Sequence, residues 1–388
     1  MIREFAITVY LAVVRIIFTL CRIFPVRNKT VMLASFGDNI QEVIHEVNRR
    51  KDSRVIVLKE PTCRRELFIG VENEDLIRFS PVHLPAFIRG IYHLATAKVV
   101  FVDNYHLILA ACNFRRRTTC VQLWHANGAV KLFGLRDKTI HGRPKSAHRR
   151  FRRVYGRFHK VVVSSDGMAE IFKQAFDLDE SNMLRTGVPR TDFFHSEERL
   201  GKAGEEVLAA LPQIRERTVI LYAPTFRDGA FAVHDLPLDI ERMERALGDT
   251  HHLLIHLHPA VDFEGFEATG FATDTTGRHD ISALLSVTDI LITDYSSIPF
   301  EFSTLRRPMI FYPYDLEEYE STRGLWFDYH ETAPGPVVHT TEGIIRAIKE
   351  DTFSPEAIEA FDRVWNKYAD GHATEKLIDA LYKNTIED

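Results

Sequence analysis

The clearest indication of an α/β fold is the segment Asp289-Ile-Leu-Ile-Thr-Asp-Tyr-Ser-Ser-Ile-Pro-Phe-Glu301. Its Ile-Leu-Ile run predicts a short buried strand, and Ile-Pro-Phe-Glu predicts the first turn of a helix, where proline is tolerated. A strand-to-helix turn of an α/β domain presents backbone N–H groups to an anion beside the positive helix end. Ser297 is an ordinary candidate for a helix cap. Two adjacent serines after Asp294 nevertheless favour a phosphate site.

Length and composition indicate a folded protein of two domains. The chain has 388 residues, of which 45% are hydrophobic and 27% charged, and this length exceeds one ordinary core. The formal charge of -5 gives no reason to expect global binding to nucleic acid. Four cysteines without zinc or disulfide spacing favour a reducing compartment. They are Cys21, Cys63, Cys112 and Cys120.

Residues 5–24 predict an amphipathic helix that lies in the plane of a membrane. On a helix, five polar residues share one face, and apolar side chains cover the rest. A spanning helix would place Arg15 near the bilayer centre at a cost of about 3 kcal/mol, and no signal cleavage site follows. The alternative is a helix packed on the protein itself. The polar residues are Glu4, Thr8, Arg15, Thr19 and Arg22.

Alternating strands and helices predict a first parallel sheet covered on both faces. Predicted strands cover 31–36, 55–58, 99–102, 120–124 and 161–164. Ligands of such sheets gather at the carboxyl ends of the strands. Asp103 and Asn104 follow one strand, and His125, Asn127 and Lys131 follow another. A turn-forming acid and a structural histidine are the commoner uses of Asp103 and His125.

Residues 136–160 are strongly basic and include Arg149 and Arg150. Such a run is most often a solvated face. Beside an amphipathic helix it could instead hold anionic lipid or a lipid diphosphate. No known nucleic-acid motif supports the third alternative.

A second alternation of strands and helices follows an acidic, alanine-rich boundary at 196–216. Its predicted strands are 219–222, 252–257, 290–292 and 309–312, and a helical tail at 357–381 carries Trp365 toward the core. The ends of these strands bring several polar residues to one edge of a sheet, and packing alone rarely produces such a set. The residues are Thr225, Arg227, His258, Ser296, Ser297, Tyr314 and Asp315.

The chemistry of this edge suits a diphosphate. Arg227 can bind phosphate with two hydrogen bonds, and His258 with the Ser296 hydroxyl adds donors. Neither a P-loop, a GxGxxG turn nor a GxSxG elbow is present. A metal site built on His125 and His258 would lack further obvious ligands. We therefore expect a nucleotide-activated donor in the second half and its acceptor in the first.

Several strings resemble the CDP-glycerol glycerophosphotransferases of wall teichoic acid synthesis. The strings are Leu123-Trp-His-Ala-Asn-Gly128, Gly187-Val-Pro-Arg-Thr-Asp192, Tyr222-Ala-Pro-Thr-Phe-Arg-Asp228, His258-Pro259 and Leu291-Ile-Thr-Asp-Tyr-Ser-Ser-Ile-Pro-Phe-Glu301. The resemblance runs from about residue 30 onward. It implies a GT-B-like fold, two Rossmann-type α/β domains with parallel sheets facing a cleft, and peripheral attachment to the cytoplasmic face of the bacterial membrane.

Within that family, the chain is most similar to the primases, through Val102-Asp-Asn-Tyr105 and His125-Ala-Asn-Gly128. Such enzymes transfer glycerol 3-phosphate from CDP-glycerol to the N-acetylmannosamine of an undecaprenyl-diphosphate-linked disaccharide and release CMP. A poly(glycerol-phosphate) polymerase of the same family remains an alternative, because its donor site would look the same. A non-catalytic lipid-linked-glycan binding protein is a third. Other teichoic acid enzymes are expected partners.

The resemblance implies catalytic roles for His125 and His258 and leaves open which of them is the base. We expect Asp103 to be the base, with His125 orienting it or contacting phosphate. We expect no cofactor and no required metal, although loosely bound Mg²⁺ stays compatible with the scheme. Expected bounds are 1–29 for the membrane helix, 30–200 for the acceptor domain and 201–388 for the donor domain. The donor residues are Thr225, Arg227, His258, Asp294, Ser296, Ser297 and Glu301. The acceptor side has Asn104, Asn127, Lys131, Arg149 and Arg150.

Overall fold

Two α/β units make up the chain. The computed structural model describes residues 2–63, 65, 68–225, 236–257 and 269–382. The first unit comprises Met1–Asn127, Phe133–Asp192 and the described part of Lys367–Asp388, and the second comprises Gly128–Leu132 and Phe193–Asn366. Each unit has its own parallel sheet and its own apolar core.

Seven parallel strands form the sheet of the first unit. In space their order is third, second, first, fourth, fifth, sixth and seventh, so the direction of winding reverses between the first and fourth strands. Ligands of doubly wound sheets bind at this reversal. The strands are β1 (Arg27–Ala34), β2 (Arg54–Lys59), β3 (Leu76–Arg78), β4 (Ala97–Val102), β5 (Thr119–Gln122), β6 (Lys160–Val162) and β7 (Met183–Leu184).

Helices of the first unit pack their apolar sides on this sheet or on one another. In α2, the buried residues Ile40, Val43, Ile44 and Val47 recur at helical spacing and form one stripe against the sheet. The side chain of Ser165 caps α5. The helices are α1 (Ile2–Cys21), α2 (Asp38–Arg50), α3 (Leu84–Ala95), α4 (Lys145–Tyr155) and α5 (Asp166–Phe176).

The second unit repeats this doubly wound plan with five parallel strands. They are β8 (Thr218–Tyr222), β9 (His251–Ile255), β10 (Ala272–Asp274), β11 (Ile290–Thr293) and β12 (Met309–Phe311). Their spatial order, β10-β9-β8-β11-β12, puts the reversal between β8 and β11. The helices are α6 (Glu197–Ala210), α7 (Ile240–Leu247), α8 (Ile281–Val287), α9 (Ile298–Phe302), α10 (Leu316–Thr322), α11 (Tyr329–Thr332), α12 (Thr341–Lys349) and α13 (Pro355–Trp365).

The C-terminal tail forms two helices where the sequence predicted one. After α13 the chain turns through Gly371, whose φ of 86° suits glycine, and continues as α14 (Ala373–Tyr382). Leu377 and Ile378 of α14 are fully buried in the core of the first unit. The tail therefore leaves the second unit after Asn366, whereas the expected donor domain, 201–388, contained it.

Candidate active site

Asp103 stands at the winding reversal of the first sheet, directly after β4. Its carboxylate accepts the backbone N–H groups of Ser35, Phe36 and Gly37 at 2.8, 2.9 and 2.8 Å. These residues form the loop after β1, and Gly37 has the positive φ of 100° that this turn requires. Asp103 is 1% exposed. Its carboxylate thus fixes the shape of the loop.

A buried ion cluster stands behind Asp103. Nδ1 of His106 lies 3.1 Å from Glu60 Oε1, and Nε2 lies 3.5 Å from Asp103 Oδ1. Burial alone would lower the pKa of His106, but the two carboxylates outweigh it and raise that pKa to about 9. The Ser35 hydroxyl donates to the other oxygen of Glu60 at 2.6 Å. His106 is therefore an imidazolium at neutral pH.

This environment suits a fixed anion better than the predicted general base. Burial raises the pKa of Asp103, but the hydrogen bond and charge of His106, with the loop N–H groups, outweigh it and lower that pKa overall. A base needs a pKa near the operating pH and access to its proton. The Asp103 carboxylate has neither a raised pKa nor exposure.

His125 has the geometry of a general base. Its Nδ1 lies 3.1 Å from the main-chain oxygen of Asp103, and a carbonyl can only accept. Nδ1 therefore carries the proton and the lone pair of the neutral ring is at Nε2. The ring stacks on Phe36 at 4.1 Å and on Trp124 at 4.3 Å between centroids. Trp124 has a φ of 59°, a strained conformation typical of functional sites.

Two residues around His125 were not among the predicted site residues. Arg190 Nη1 donates to the main-chain oxygen of His125 at 3.3 Å, and its backbone N–H donates to Asn39 Oδ1 at 2.9 Å. Nδ2 of Asn39 donates to the oxygen of Trp124 at 3.0 Å. The signal for Arg190 is its place in Gly187-Val-Pro-Arg-Thr-Asp192, one of the strings that carry the family resemblance.

The predicted acceptor residues divide between two places in the first unit. Asn104 is half-buried beside Asp103, and its main-chain oxygen accepts from Gln122 Nε2 at 3.0 Å. Asn127 is fully buried. Arg149 and Arg150 lie on α4. Lys131 belongs to the second unit, where it pairs with Leu325 in an isolated β-bridge.

Asp294 lies at the winding reversal of the second sheet, between β8 and β11. It follows β11, is 2% exposed, and its Oδ1 accepts the backbone N–H groups of Thr225 at 2.7 Å and Tyr295 at 2.6 Å. Thr225 lies in the loop after β8. The hydroxyl of Tyr295 donates to Asp315 Oδ1 at 3.0 Å, and burial, followed by that carboxylate, raises the pKa of Tyr295 far above its usual range. The carboxyl end of β11, in the segment 289–301, is thus held by hydrogen bonds on both sides.

The serine pair divides its tasks. Ser296 Oγ accepts the N–H of Ile298, the first residue of α9, at 3.2 Å, while Ser297 forms no side-chain cap. Both serines are partly exposed, whereas Glu301 is 3% exposed. The helix begins where the sequence predicted but has only five residues. Its dipole is correspondingly small, so hydroxyls and N–H groups are the donors at this turn.

Two predicted donor residues, Arg227 and His258, lie outside the described residues. The strands that precede them, β8 and β9, are neighbours in the second sheet, and β11 lies on the other side of β8. Within the described residues, no group of three or more histidine, cysteine, aspartate or glutamate side chains has the arrangement of a metal site. The metal-independent scheme remains a prediction.

Close packing explains the glycine at position 128, in the motif after β5. A Cβ at this residue would lie 2.3 Å from the ring of Phe300, far closer than carbon atoms approach. Phe300 is fully buried beside Trp365, at 4.9 Å between ring centroids. Glycine is therefore needed for the close approach of α9.

Two doubly wound parallel sheets, each with a polar edge at its reversal, define a GT-B-like transferase fold. Residues 16–383 match the sequence model of the family "CDP-Glycerol:Poly(glycerophosphate) glycerophosphotransferase". The chain belongs to this family of CDP-glycerol glycerophosphotransferases.

Individual relatives agree with this membership. The chain is 34% identical over 359 residues to a teichoic acid glycerol-phosphate primase of Bacillus subtilis (strain 168), covering 91% of each chain. It is 31% identical to a teichoic acid ribitol-phosphate primase of Bacillus spizizenii (strain ATCC 23059 / NRRL B-14472 / W23), covering 93% of each. The structure of the wall teichoic acid polymerase TagF superposes with a TM-score of 0.79 at 24% identity, covering 99% of this chain and 98% of that one. The GT-B-like fold predicted from the sequence is confirmed.

Proposed function

We propose that the protein is a teichoic acid glycerol-phosphate primase. It would transfer sn-glycerol 3-phosphate from CDP-glycerol to the N-acetylmannosamine of an undecaprenyl-diphosphate-linked disaccharide and release CMP. The observation that carries this proposal is the similarity to a glycerol-phosphate primase along nearly the whole of both chains.

In the proposed reaction, His125 is the general base. The acceptor hydroxyl oxygen attacks the β-phosphorus of CDP-glycerol, and its proton passes to Nε2 of His125. The bond from the β-phosphorus to the bridging oxygen breaks, and CMP leaves with the electron pair. The contact from Nδ1 to the main-chain oxygen of Asp103 supports this role, because it sets the tautomer and orients the ring. Asp103 and His106 would position that carbonyl.

The second unit would hold the diphosphate of the donor. Thr225, Ser296 and Ser297 supply hydroxyl or backbone donors at the ends of β8 and β11, and Arg227 and His258 are proposed to add positive charge. Buried Asp294 and Glu301 would shape the turn rather than touch phosphate, since carboxylates repel it. Positioning and charge stabilisation supply most of the catalysis in phosphoryl transfer. We expect activity to survive a chelator of divalent metals.

Release of CMP from CDP-glycerol tests the proposal. The primase predicts release only with the lipid-linked disaccharide present, and little release with an acceptor that already carries one glycerol phosphate. Preference for the primed acceptor would establish the polymerase instead. Preference for CDP-ribitol would move the chain to the ribitol-phosphate primases, and binding of the acceptor without CMP release would support the non-catalytic alternative.

We also propose that the enzyme is peripheral on the cytoplasmic face of the membrane. Helix α1 is, within the described residues, the one helix long and apolar enough to cross a membrane. One side of it carries Val14 and Phe18, which are buried in the first unit. Because that side is occupied by protein, an in-plane position with the opposite side in lipid fits α1 better than a span.

A further inference from the structure

Helix α1 exposes a continuous apolar stripe. Ile2, Phe5, Val9, Val13, Ile16 and Leu20 follow one another at helical spacings of three and four residues, and all are exposed. Ile16 is 61% and Leu20 58% exposed. Stripes of this kind on soluble surfaces mark contacts with membranes or partners.

Beside this stripe, a groove with a volume of about 700 Å³ runs between α1 and α4. Ligand sites commonly measure about 300–1,000 Å³. Its apolar lining comes from α1, and most of its charged lining comes from α4. The lining residues are Thr8, Leu11, Ala12, Arg15, Ile16, Thr19, Leu20, Ser146, Arg149, Arg150 and Arg153.

The groove carries excess positive charge. Arg150 is neutralised by Glu4 at 3.0 Å, and the hydrogen bond from Arg150 holds the pKa of Glu4 at about 2. Arg15, Arg149 and Arg153 have no acidic partner in the described part of the chain; Arg15 donates to the main-chain oxygen of Ala110. Among the residues that the structure describes, three guanidinium groups thus line one groove without a compensating carboxylate.

Arg15 and Arg153 also act on a half-buried arginine nearby, Arg157. Burial lowers the pKa of Arg157, and the positive charges of Arg15 and Arg153 lower it further. Concentrating like charges is unfavourable unless an anion binds among them. The groove therefore has the electrostatics of an anion site.

Polar and apolar parts of the groove are arranged for an amphiphile. Ile16 and Leu20 belong both to the groove lining and to the exposed stripe, so the groove opens directly onto the apolar surface of α1. A ligand with its anionic group among the arginines would continue as hydrocarbon along Leu11, Ile16 and Leu20. A free phosphate would leave this apolar part unused.

We propose that the α1–α4 groove binds the diphosphate and the first isoprenoid carbons of a polyprenyl diphosphate. Three arginines without acidic partners match a diphosphate better than the single negative charge of a phosphodiester lipid. The choice of this lipid rests on the proposed function, in which the acceptor sugar is carried on a lipid diphosphate.

A contact between Phe151 of α4 and Tyr105 connects this groove with the end of β4, where Asp103 lies. Burial raises the pKa of Tyr105 to about 12, and the nearby charge of Arg150 opposes that rise. The ring of Tyr105 packs on Phe151 of α4 at 5.3 Å between centroids. Tyr105 lies two residues after Asp103. The groove wall thus packs against the segment that begins with Asp103, whose main-chain oxygen contacts His125.

Binding of farnesyl diphosphate to the full-length protein, measured by calorimetry, tests the groove. Arg149→Gln with Arg153→Gln should weaken this binding about a hundredfold, because each charge-assisted hydrogen bond is worth about a factor of ten. Arg152→Gln is the matched control, since Arg152 lies on the same helix but pairs with Asp177 at 2.9 Å. Farnesol and inorganic pyrophosphate should each bind far more weakly than farnesyl diphosphate.

The outcomes separate the groove from the proposed reaction. Equal affinity of the wild type and the double variant, with CMP release intact, overturns the groove and leaves the primase. Arginine-dependent affinity in a protein that never releases CMP overturns the primase and leaves a lipid-diphosphate site. If farnesyl diphosphate does not bind but phosphatidylglycerol vesicles do, the surface is a general membrane contact and the proposal fails. Unchanged thermal unfolding of the double variant shows that its fold is retained.

Discussion

Asp103 and Asp294 occupy equivalent positions in the two units and have the same structural task. Each follows the strand beyond the winding reversal. From the loop after the neighbouring central strand, Asp103 accepts three backbone N–H groups and Asp294 accepts that of Thr225. Both are almost fully buried. The acids that stand out in the sequence therefore shape the site, and the groups they position, His125 and the serine pair, are the better candidates for chemistry.

Replacing His125 by Asn should abolish turnover and preserve donor binding. Asparagine keeps a donor for the Asp103 carbonyl but has no basic nitrogen, so we expect a loss of about 100-fold to 10,000-fold in kcat. CMP release measures turnover, and calorimetry with CDP-glycerol measures donor binding. His141→Asn, at an exposed histidine of the same unit, is the control. Turnover of the His125 variant near the wild-type rate would remove the proposed base.

Replacing His106 by Gln should destabilise the first unit because two buried carboxylates lose their cation. Removing one partner of a buried ion pair lowers the free energy of unfolding by about 3–5 kcal/mol. Chemical denaturation at pH 6 to about 7, within the range where His106 is charged, measures the loss. His148→Gln, a histidine on α4 that faces no carboxylate among the described residues, provides the comparison.

The loss of stability in His106→Gln should also depend on pH, in a direction set by the pKa of His106. The pKa of His106 rises from its ordinary 6.5 to about 9 on folding, so its contribution to stability is complete below pH 6.5 and lost as pH rises through 9. The pKa values of Glu60 and Asp103 are lowered, chiefly by His106 against the effect of burial, so their contribution disappears as acid protonates them. The difference in stability between wild type and His106→Gln should therefore shrink as the pH rises from about 6.5 to about 9 and stay small above that range. A constant difference up to higher pH would mean that His106 is uncharged.

The roles of Ser296 and Ser297 can be distinguished experimentally. Ser296→Ala removes the acceptor for the Ile298 N–H, so it should lower the free energy of unfolding by about 1 kcal/mol. It should also weaken the binding of CDP-glycerol. Ser297→Ala removes a partly exposed hydroxyl that forms no cap, so it should raise KM for CDP-glycerol without changing Tm. Kinetics and thermal unfolding of the pair measure both effects. An unchanged KM in Ser297→Ala would show that this hydroxyl does not touch the donor.

The strands with a continuous apolar run were predictable, and three short edge strands were not. All nine predicted strands exist, because buried parallel strands are continuous apolar runs. The missed strands, β3, β7 and β10, all lie at sheet edges and have only two or three residues. These three strands are too short to stand out as apolar runs, whereas the edge strand β12 was predicted from Met309-Ile-Phe-Tyr312. Short edge strands limit unwanted pairing.

Site residues were predictable by place rather than by role. Position after a strand correctly brought Asp103 and His125 to one edge of the first sheet. It could not show that the carboxylate of Asp103 turns toward the loop after β1 while its main-chain oxygen meets His125. Nor did it single out His106 or Arg190, because their roles depend on contacts with Glu60, Asn39 and His125, which are distant in sequence.

Membrane attachment can be tested without disturbing the groove. Phe5→Gln, Val9→Gln and Val13→Gln together would replace exposed apolar side chains of α1, and none of the three lines the groove. Burying an apolar side chain of this size contributes about 1.5–3 kcal/mol, so the triple variant should leave the membrane fraction. Flotation with vesicles measures attachment, and farnesyl diphosphate binding should be unchanged. The control is Arg3→Lys, which changes an exposed residue of α1 outside the groove and keeps its charge. Full membrane association of the triple variant would assign the attachment to the basic helix α4 instead.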